Sequence, residues 1–109
     1  MHLVEVFVPL NRGDGSPVKP NEIQELVKRL ANRFGGATAF SRAPADGLWK
    51  DSNTMSHDRI VIIEVMVDQL DRQWWTAFKE GLERDLQQEK LVVRCALCEL
   101  LEAERRRIR

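Results

Sequence analysis

The stretch RIVIIEVMV, residues 59–67, decides how the rest of this 109-residue chain folds. Its many β-branched residues predict a strand, and one carboxylate, Glu64, stands inside it. Successive side chains of a strand point to opposite faces, so one face of this strand carries Glu64 and the other is wholly apolar. The apolar face consists of Val61, Ile63, Val65 and Val67. Glu64 therefore does not interrupt the core, because it belongs to the other side of the sheet.

The segments around this strand alternate between strand-like and helix-like patterns. Apolar residues recur at helical spacing from Ile23 to Phe34 and again from Trp74 to Leu86, which predicts two amphipathic helices. The other predicted strands are residues 3–8, 37–42 and 91–101. The second of these strands is predicted to break at APADG, residues 43–47, with LWKD, residues 48–51, as a stretch that could resume it. A polar loop is predicted at residues 52–58.

Capping residues mark the ends of both predicted helices. Asn21 is predicted to cap the first helix, with Gln24 as its capping-box partner. Gly35 and Gly36 end that helix, because glycine accepts the left-handed conformation found at helix C-termini. Asp71 is predicted to cap the second helix.

The predicted element order, β-α-β-β-α-β, is typical of the ferredoxin-like sandwich. We therefore predict an α+β fold with a four-stranded antiparallel sheet and two helices on one face. The first and third strands occupy the centre of that sheet. Residues 1–101 are predicted to form this single domain, and residues 102–109 a charged C-terminal tail.

Three charged side chains are predicted on the sheet face that the helices leave open. Alternation along the first and last strands puts Glu5 and Arg94 on the same side as Glu64. The opposite set of the last strand is predicted to pack under the helices and consists of Leu91, Val93, Cys95 and Leu97. A solvated sheet face is normally mostly polar, and an apolar patch of this kind marks an interface or a ligand site. The apolar side chains singled out on this face are Phe7, Ile62 and Met66.

This face leaves several functions open. The preferred hypothesis is a homodimer or other homo-oligomer of non-catalytic or weakly ligand-binding domains, whose apolar face is an interface or a small-ligand pocket. One alternative is a small cofactor-free enzyme, of isomerase or monooxygenase type, in which Glu5 or Glu64 is the base and Arg94 binds an anionic substrate. Another is a protein-interaction module that uses the edge strand near Trp49.

Other residues are weaker candidates for the margin of this site. Arg42 and Trp49 flank a predicted bulge or hairpin on the edge strand, and His57 lies in the predicted polar loop. Cys95 and Cys98 have the spacing of a CxxC motif, but on a strand such residues point to opposite faces, so we predict structural cysteines. No cluster has the ligand count of a zinc site, and the sequence predicts neither a metal nor a cofactor.

Composition excludes some functions more directly. Seventeen basic residues balance seventeen acidic ones, which removes the global electrostatic argument for nucleic acid or anionic membranes as partners. No apolar run is long enough to span a membrane, and the N-terminus has no signal-peptide pattern. We therefore expect a cytoplasmic protein.

Three stretches carry a likeness to known proteins: VEVFVPL (4–10), RFGGATAFSRAPADGLWKD (33–51) and DRIVIIEVMVDQLDRQWW (58–75). In them the chain resembles small uncharacterised bacterial proteins of ferredoxin-like or dimeric α/β-barrel type. The resemblance extends over most of the chain and implies that fold in a bacterial, cytoplasmic protein. It brings no assigned catalytic residues, so no site follows from it.

Overall fold

The computed structural model describes residues 1–41, 45–51 and 54–101, with the backbone alone at residues 45, 49, 51 and 54–57. Within these ranges the chain is an α+β protein with two helices and a five-stranded antiparallel sheet. The strands are β1 (His2–Pro9), β2 (Thr38–Ala39), β3 (Ala45–Asp51), β4 (Thr54–Val67) and β5 (Val93–Leu97). The helices are α1 (Pro20–Phe34) and α2 (Arg72–Asp85). The predicted tail, residues 102–109, lies outside the described residues.

The sheet is built around the opening stretch. Its strands are ordered β2–β4–β1–β5, and β3 pairs with the remaining length of β4. Glu5 lies opposite Glu64 on one neighbouring strand and opposite Arg94 on the other. The predicted central position of the first and third strands is therefore confirmed, whereas the predicted number of strands, four, is wrong by one.

The difference arises in the segment between β2 and β4. The predicted edge strand at residues 37–42 is only two residues long as β2, and β3 begins at Ala45, inside the predicted break at residues 43–47. β4 begins at Thr54, inside the predicted polar loop, because residues 54–60 pair with β3 as a two-stranded ribbon. Polar residues such as Asp58 indicated exposure to solvent, and an exposed ribbon has the same composition as a loop.

The first helix begins earlier than predicted. Lys19, not Asn21, is its N-cap, and the backbone N–H of Lys19 donates to the Glu22 carboxylate at 2.8 Å. Pro20 explains the shift, since proline fits the first helical position, where its missing N–H costs nothing. The predicted end is confirmed: Gly35 is left-handed, at φ 88°, and its N–H donates to the carbonyl oxygen of Ala31 at 2.7 Å.

The second helix begins as predicted, because the Asp71 carboxylate accepts a hydrogen bond from the backbone N–H of Trp74 at 3.1 Å. The two adjacent tryptophans divide between core and margin. Trp75 is buried and stacks on Phe34, with ring centroids 5.0 Å apart, whereas Trp74 is half-buried and stacks on Phe78 at 5.3 Å.

Both helices pack on one face of the sheet, where the core lies. The predicted apolar set of β4 is buried, as is the corresponding set of β1, so that Val6 and Ile63 are wholly inaccessible. The helices contribute Ile23, Leu26, Leu30, Trp75, Phe78 and Leu82 to the same cluster.

The last strand departs from the prediction. It is limited to five residues, and only Leu91, just before it, and part of Val93 join the core. Cys95 is exposed and Leu97 is 80% exposed, so their predicted burial is wrong. The alternation on β5 is as predicted, but burial also requires a helix above the strand. Cys95 and Cys98 are both free thiols.

The loop between β1 and α1 contacts both helices at one end of the core. Gly13 donates its N–H to the carbonyl oxygen of Leu86 at 3.0 Å, and the Arg12 guanidinium forms a bidentate ion pair with Glu22. This ion pair, followed by the Lys19 N–H, lowers the pKa of Glu22. At the other helix, the hydrogen bond from Lys79, followed by one from the Leu91 N–H, lowers the pKa of Glu83.

Candidate functional site

Four polar side chains form a row across the open face. Thr38, Glu64, Glu5 and Arg94 occupy matched register positions on β2, β4, β1 and β5. Directly opposed side chains have Cβ atoms about 5 Å apart, so each group neighbours the next. The structure thus brings the three charged residues predicted from the sequence together on the helix-free face. Two carboxylates against one guanidinium leave the row with one negative charge in excess.

Within this row, Arg94 is committed to Glu5. Its Nε donates to the Glu5 carboxylate at 2.8 Å, and its guanidinium lies 4.7 Å from the centroid of the Phe7 ring. The Arg94 side chain is 61% exposed, so solvent screens the pair and its contribution to stability is small. The contact nevertheless fixes where Arg94 lies and neutralises one of the two carboxylates.

Glu64 is the uncompensated carboxylate of the row. Its cross-strand neighbours are the neutral Thr38 and the carboxylate Glu5. Among the described residues, neither a hydrogen bond nor a salt bridge reaches its side chain, which is half-buried. A partly desolvated carboxylate without a partner favours the approach of a cation or of a proton donor.

Beside Glu64 the surface forms a cleft of about 410 Å³. Pockets that bind small molecules have volumes of about 300–1,000 Å³, so the cleft suits a ligand of nucleoside size. One wall is the C-terminal end of α1, and the floor is the open sheet face. The residues that line the cleft are Leu3, Phe34, Gly35, Gly36, Ala37, Thr38, Glu64 and Met66.

Sequence reasoning missed the wall of this cleft. Gly35 and Gly36 were assigned only the role of ending α1, and Thr38 was not singled out. The available signal was the glycine pair directly before an edge strand, since glycines leave room beside a backbone. The register that sets Thr38 opposite Glu64 has no local signature.

The predicted apolar residues Phe7, Ile62 and Met66 flank the charged row, and Met66 lines the cleft. Met66 lines the cleft and is 49% exposed, whereas Phe7 lies at the opposite end, under Arg94. Ile62, opposite Phe7, is half-buried. These side chains give the open face the apolar surroundings that the sequence predicted.

Two other predicted residues have backbone positions far from this cleft. Trp49 pairs with Ser56 on the ribbon, and the backbone position of Ser56 is about 26 Å along β4 from Glu64. His57 lies on the same ribbon, about 23 Å from Glu64 along the strand. The side chains of both, and the whole of Arg42, are outside the described residues.

Two other classes of feature have no representative in the described ranges. Groups of three or more His, Cys, Asp or Glu side chains that could hold a metal ion do not occur there. The helices described are also too short and too polar to cross a membrane.

Comparison with known proteins identifies the fold. No protein-family model matches the chain, and no curated protein matches it. A phage SAM lyase in complex with S-methyl-5′-thioadenosine has a similar structure, with a TM-score of 0.61 and 20% sequence identity, covering 87% of this chain and 79% of that one. A phage SAM lyase in the apo state has a TM-score of 0.50 and 18% identity, covering 93% and 92% of the two chains. At these identities the likeness concerns the small α+β fold.

These comparisons correct the preferred functional hypothesis. A homo-oligomeric domain, non-catalytic or weakly ligand-binding, was expected, with a cofactor-free enzyme and a protein-interaction module as the alternatives. Two solved structures with a similar fold are those of an enzyme, and one of them holds a nucleoside thioether. The preference for a non-catalytic domain is therefore wrong.

Proposed function

We propose that this chain is a lyase that binds S-adenosylmethionine (SAM) in the cleft beside Glu64 and cleaves it. The observation that carries the proposal is the Glu64 carboxylate, which has no partner among the described residues and lines a cleft of nucleoside size. SAM is a sulfonium cation attached to a nucleoside. The Glu64 carboxylate would attract the cation, and the apolar side chains of the cleft would contact the nucleoside. The fold shared with phage SAM lyase supports this choice of ligand.

The reaction would break the bond between the sulfonium sulfur and the γ carbon of the methionine chain. The sulfur keeps both bonding electrons and becomes the neutral thioether of S-methyl-5′-thioadenosine. The γ carbon of the four-carbon fragment then forms a new bond in one of two ways. The fragment loses a β-carbon proton to a base and becomes an unsaturated amino acid, or its own carboxylate closes on the γ carbon to give a lactone.

Glu64 is the candidate catalytic carboxylate in either route. In the elimination it would accept the β-carbon proton, as an unpaired carboxylate can. In the ring closure it would hold the sulfonium, and no proton would move. Proton NMR of the second product separates the two routes, because only the elimination yields vinylic protons.

Arg94 and Glu5 would serve at the other end of the row. Arg94 is exposed and retains donors beyond the Nε that binds Glu5, so it would bind the substrate carboxylate. Glu5 would act as a positioning residue that holds the guanidinium over Phe7. An Arg94→Ala variant should therefore raise KM more than it lowers kcat.

The direct test is to incubate the purified protein with SAM and to measure S-methyl-5′-thioadenosine by chromatography. We expect release by the wild type and a loss of about 100-fold or more in Glu64→Gln, the size of a lost acid–base group. Glu25→Gln on the exposed surface of α1 is the matched control and should leave the rate unchanged. The absence of product from the wild type, or equal rates in wild type and Glu64→Gln, would contradict the proposal.

We also propose the finer features of the fold and setting. The sheet order supports a ferredoxin-like sandwich with its second strand divided in two. The exposed Leu97 supports a homodimer, and the absence of net charge supports a protein that binds neither nucleic acid nor anionic membrane. The sequence resemblance supports a bacterial, cytoplasmic setting. Light scattering should give twice the chain mass, and a monomer at micromolar concentration would refute the dimer.

A further inference from the structure

We infer that the cleft distinguishes its ligands by charge, so that it holds a sulfonium cation and releases the neutral thioether. Glu64 and the C-terminal end of α1 would produce this selectivity together. The inference rests on the proposed function for the class of ligand, but it concerns binding and not bond cleavage.

The first argument is the division of charge along the polar row. The Glu5 carboxylate accepts the Arg94 hydrogen bond at 2.8 Å and is neutralised by it. Glu64 has no such partner among the residues described, and its other neighbour, Thr38, is uncharged. The negative charge in excess therefore belongs to Glu64, which lines the cleft.

The second argument is the end of α1, which forms the wall opposite. The last carbonyl groups of a helix have no partner within the helix and give its C-terminus about half a negative charge. Phe34, Gly35 and Gly36, at this end, line the cleft. Arg33 in the last turn does not line it, and its guanidinium lies over the Trp74 ring at 4.5 Å. The helix end and Glu64 thus add potential of the same sign.

The third argument is the chemistry of the remaining surface. Leu3, Phe34 and Met66 are apolar, and among the described residues Glu64 is the only ionic group that lines the cleft. A sulfonium has three carbon substituents and no N–H, so it can approach the carboxylate while its substituents contact the apolar side chains.

Release of the product follows from the same contacts. When the carbon–sulfur bond breaks, the sulfur becomes neutral and its attraction to Glu64 and to the helix end is lost. The product keeps the apolar contacts of its adenosine part, but without the ionic attraction it is bound more weakly. Glu64 would therefore be a specificity-determining residue as well as a candidate catalytic one.

The test compares two compounds that differ by one methyl group and one charge. S-methyl-5′-thioadenosine is neutral, and its S-methylated dimethylsulfonium derivative is a cation that lacks the amino-acid chain to be cleaved. By titration calorimetry we expect the wild type to bind the cation about tenfold more tightly, the size of a partly screened ionic contact. Glu64→Gln should bring the ratio of the two Kd values close to one, and Glu25→Gln should leave it at the wild-type value.

The outcomes separate this inference from the proposed function. A wild type that prefers the cation but does not cleave SAM would refute the reaction and leave the charge selectivity intact. Equal affinities in the wild type, a preference that survives in folded Glu64→Gln, or failure of both compounds to bind would overturn the inference, even if SAM is cleaved. Circular dichroism of each variant shows that the comparison is made between folded proteins.

Discussion

The two faces of the central strands β1 and β4 have the same backbone but opposite character. On the helix-covered face, Val6 and Ile63 are wholly buried, and the other inward residues of these two strands within the core are similarly inaccessible. On the open face, Glu5 and Glu64 stand directly opposite each other, an arrangement that costs stability. Burial on the covered face therefore stabilises the fold. Repulsion between the charges on the open face offsets a small part of that stability, and these charges remain accessible to a ligand.

The comparison is tested most strongly by equal truncations on the two faces. Ile63→Ala should lower the free energy of unfolding by about 2–5 kcal/mol, because it removes buried atoms and leaves a cavity. Met66→Ala, three residues along the same strand, should cost less than about 1 kcal/mol, since Met66 is 49% exposed. Urea denaturation followed by circular dichroism measures both values. Similar losses at the two positions would refute the division between the faces.

A second test compares two glycines, one that closes the core and one that lines the cleft. A Cβ atom at Gly13 would collide with the backbone carbonyl oxygen of Gln87, where the loop after β1 contacts the end of α2. Gly13→Ala should therefore destabilise the protein by about 1–3 kcal/mol. At Gly36 nothing lies within 4 Å of the added atom, so Gly36→Ala should change stability by less than about 0.5 kcal/mol.

The order of the two variants should be reversed for ligand binding, where Gly36→Ala should have the larger effect. Gly36→Ala adds a methyl group to the wall of the cleft and should weaken binding of S-methyl-5′-thioadenosine, whereas Gly13→Ala, measured where it is folded, should not. Thermal unfolding and calorimetry give the two readouts. A Gly13→Ala protein as stable as the wild type would show that the loop does not fasten the core.

Low pH should lower the stability of the fold through two carboxylates on the helix-covered side of the molecule. The pKa values of Glu22 and Glu83 are lowered in the folded state by their hydrogen bonds to Arg12 and Lys79. A carboxyl group with a lowered folded pKa stabilises the fold above its ordinary pKa, about 4.3, and this contribution is lost as the pH falls through the folded value. We therefore expect the unfolding temperature to fall below pH 4.3. Glu22→Gln should reduce that slope, whereas Glu25→Gln should not.

The sequence predicted the two faces because alternation along a strand is a local property. The positions of Glu5, Glu64 and Arg94 followed from it, since each depends only on parity within its own strand. The inward side of β5 was wrongly predicted, because burial there depends on where α2 crosses the sheet. Cys95 and Leu97 have the right parity, but both are exposed.

The cleft was beyond sequence reasoning for a related reason. Its wall joins the end of α1 to an edge strand of two residues, in which Thr38 pairs with Glu64. That end was predictable from Gly35, but the distance from there to the sheet was not. The start of α1 was missed because Pro20 fixed the first turn ahead of Asn21, which has the better intrinsic capping propensity.

The smallest expected effect concerns the opposed carboxylates themselves. Like charges directly opposite in an antiparallel pair destabilise it, so Glu64→Gln should stabilise the fold by about 0.5 kcal/mol while it removes ligand selectivity. Glu5→Gln removes the same repulsion but also the hydrogen bond from Arg94, so we expect no gain. Urea denaturation of the two variants and of the double variant measures the coupling. If Glu64→Gln unfolds more easily than the wild type, then Glu64 has a stabilising partner, and it cannot be the uncompensated charge on which ligand binding in the cleft depends.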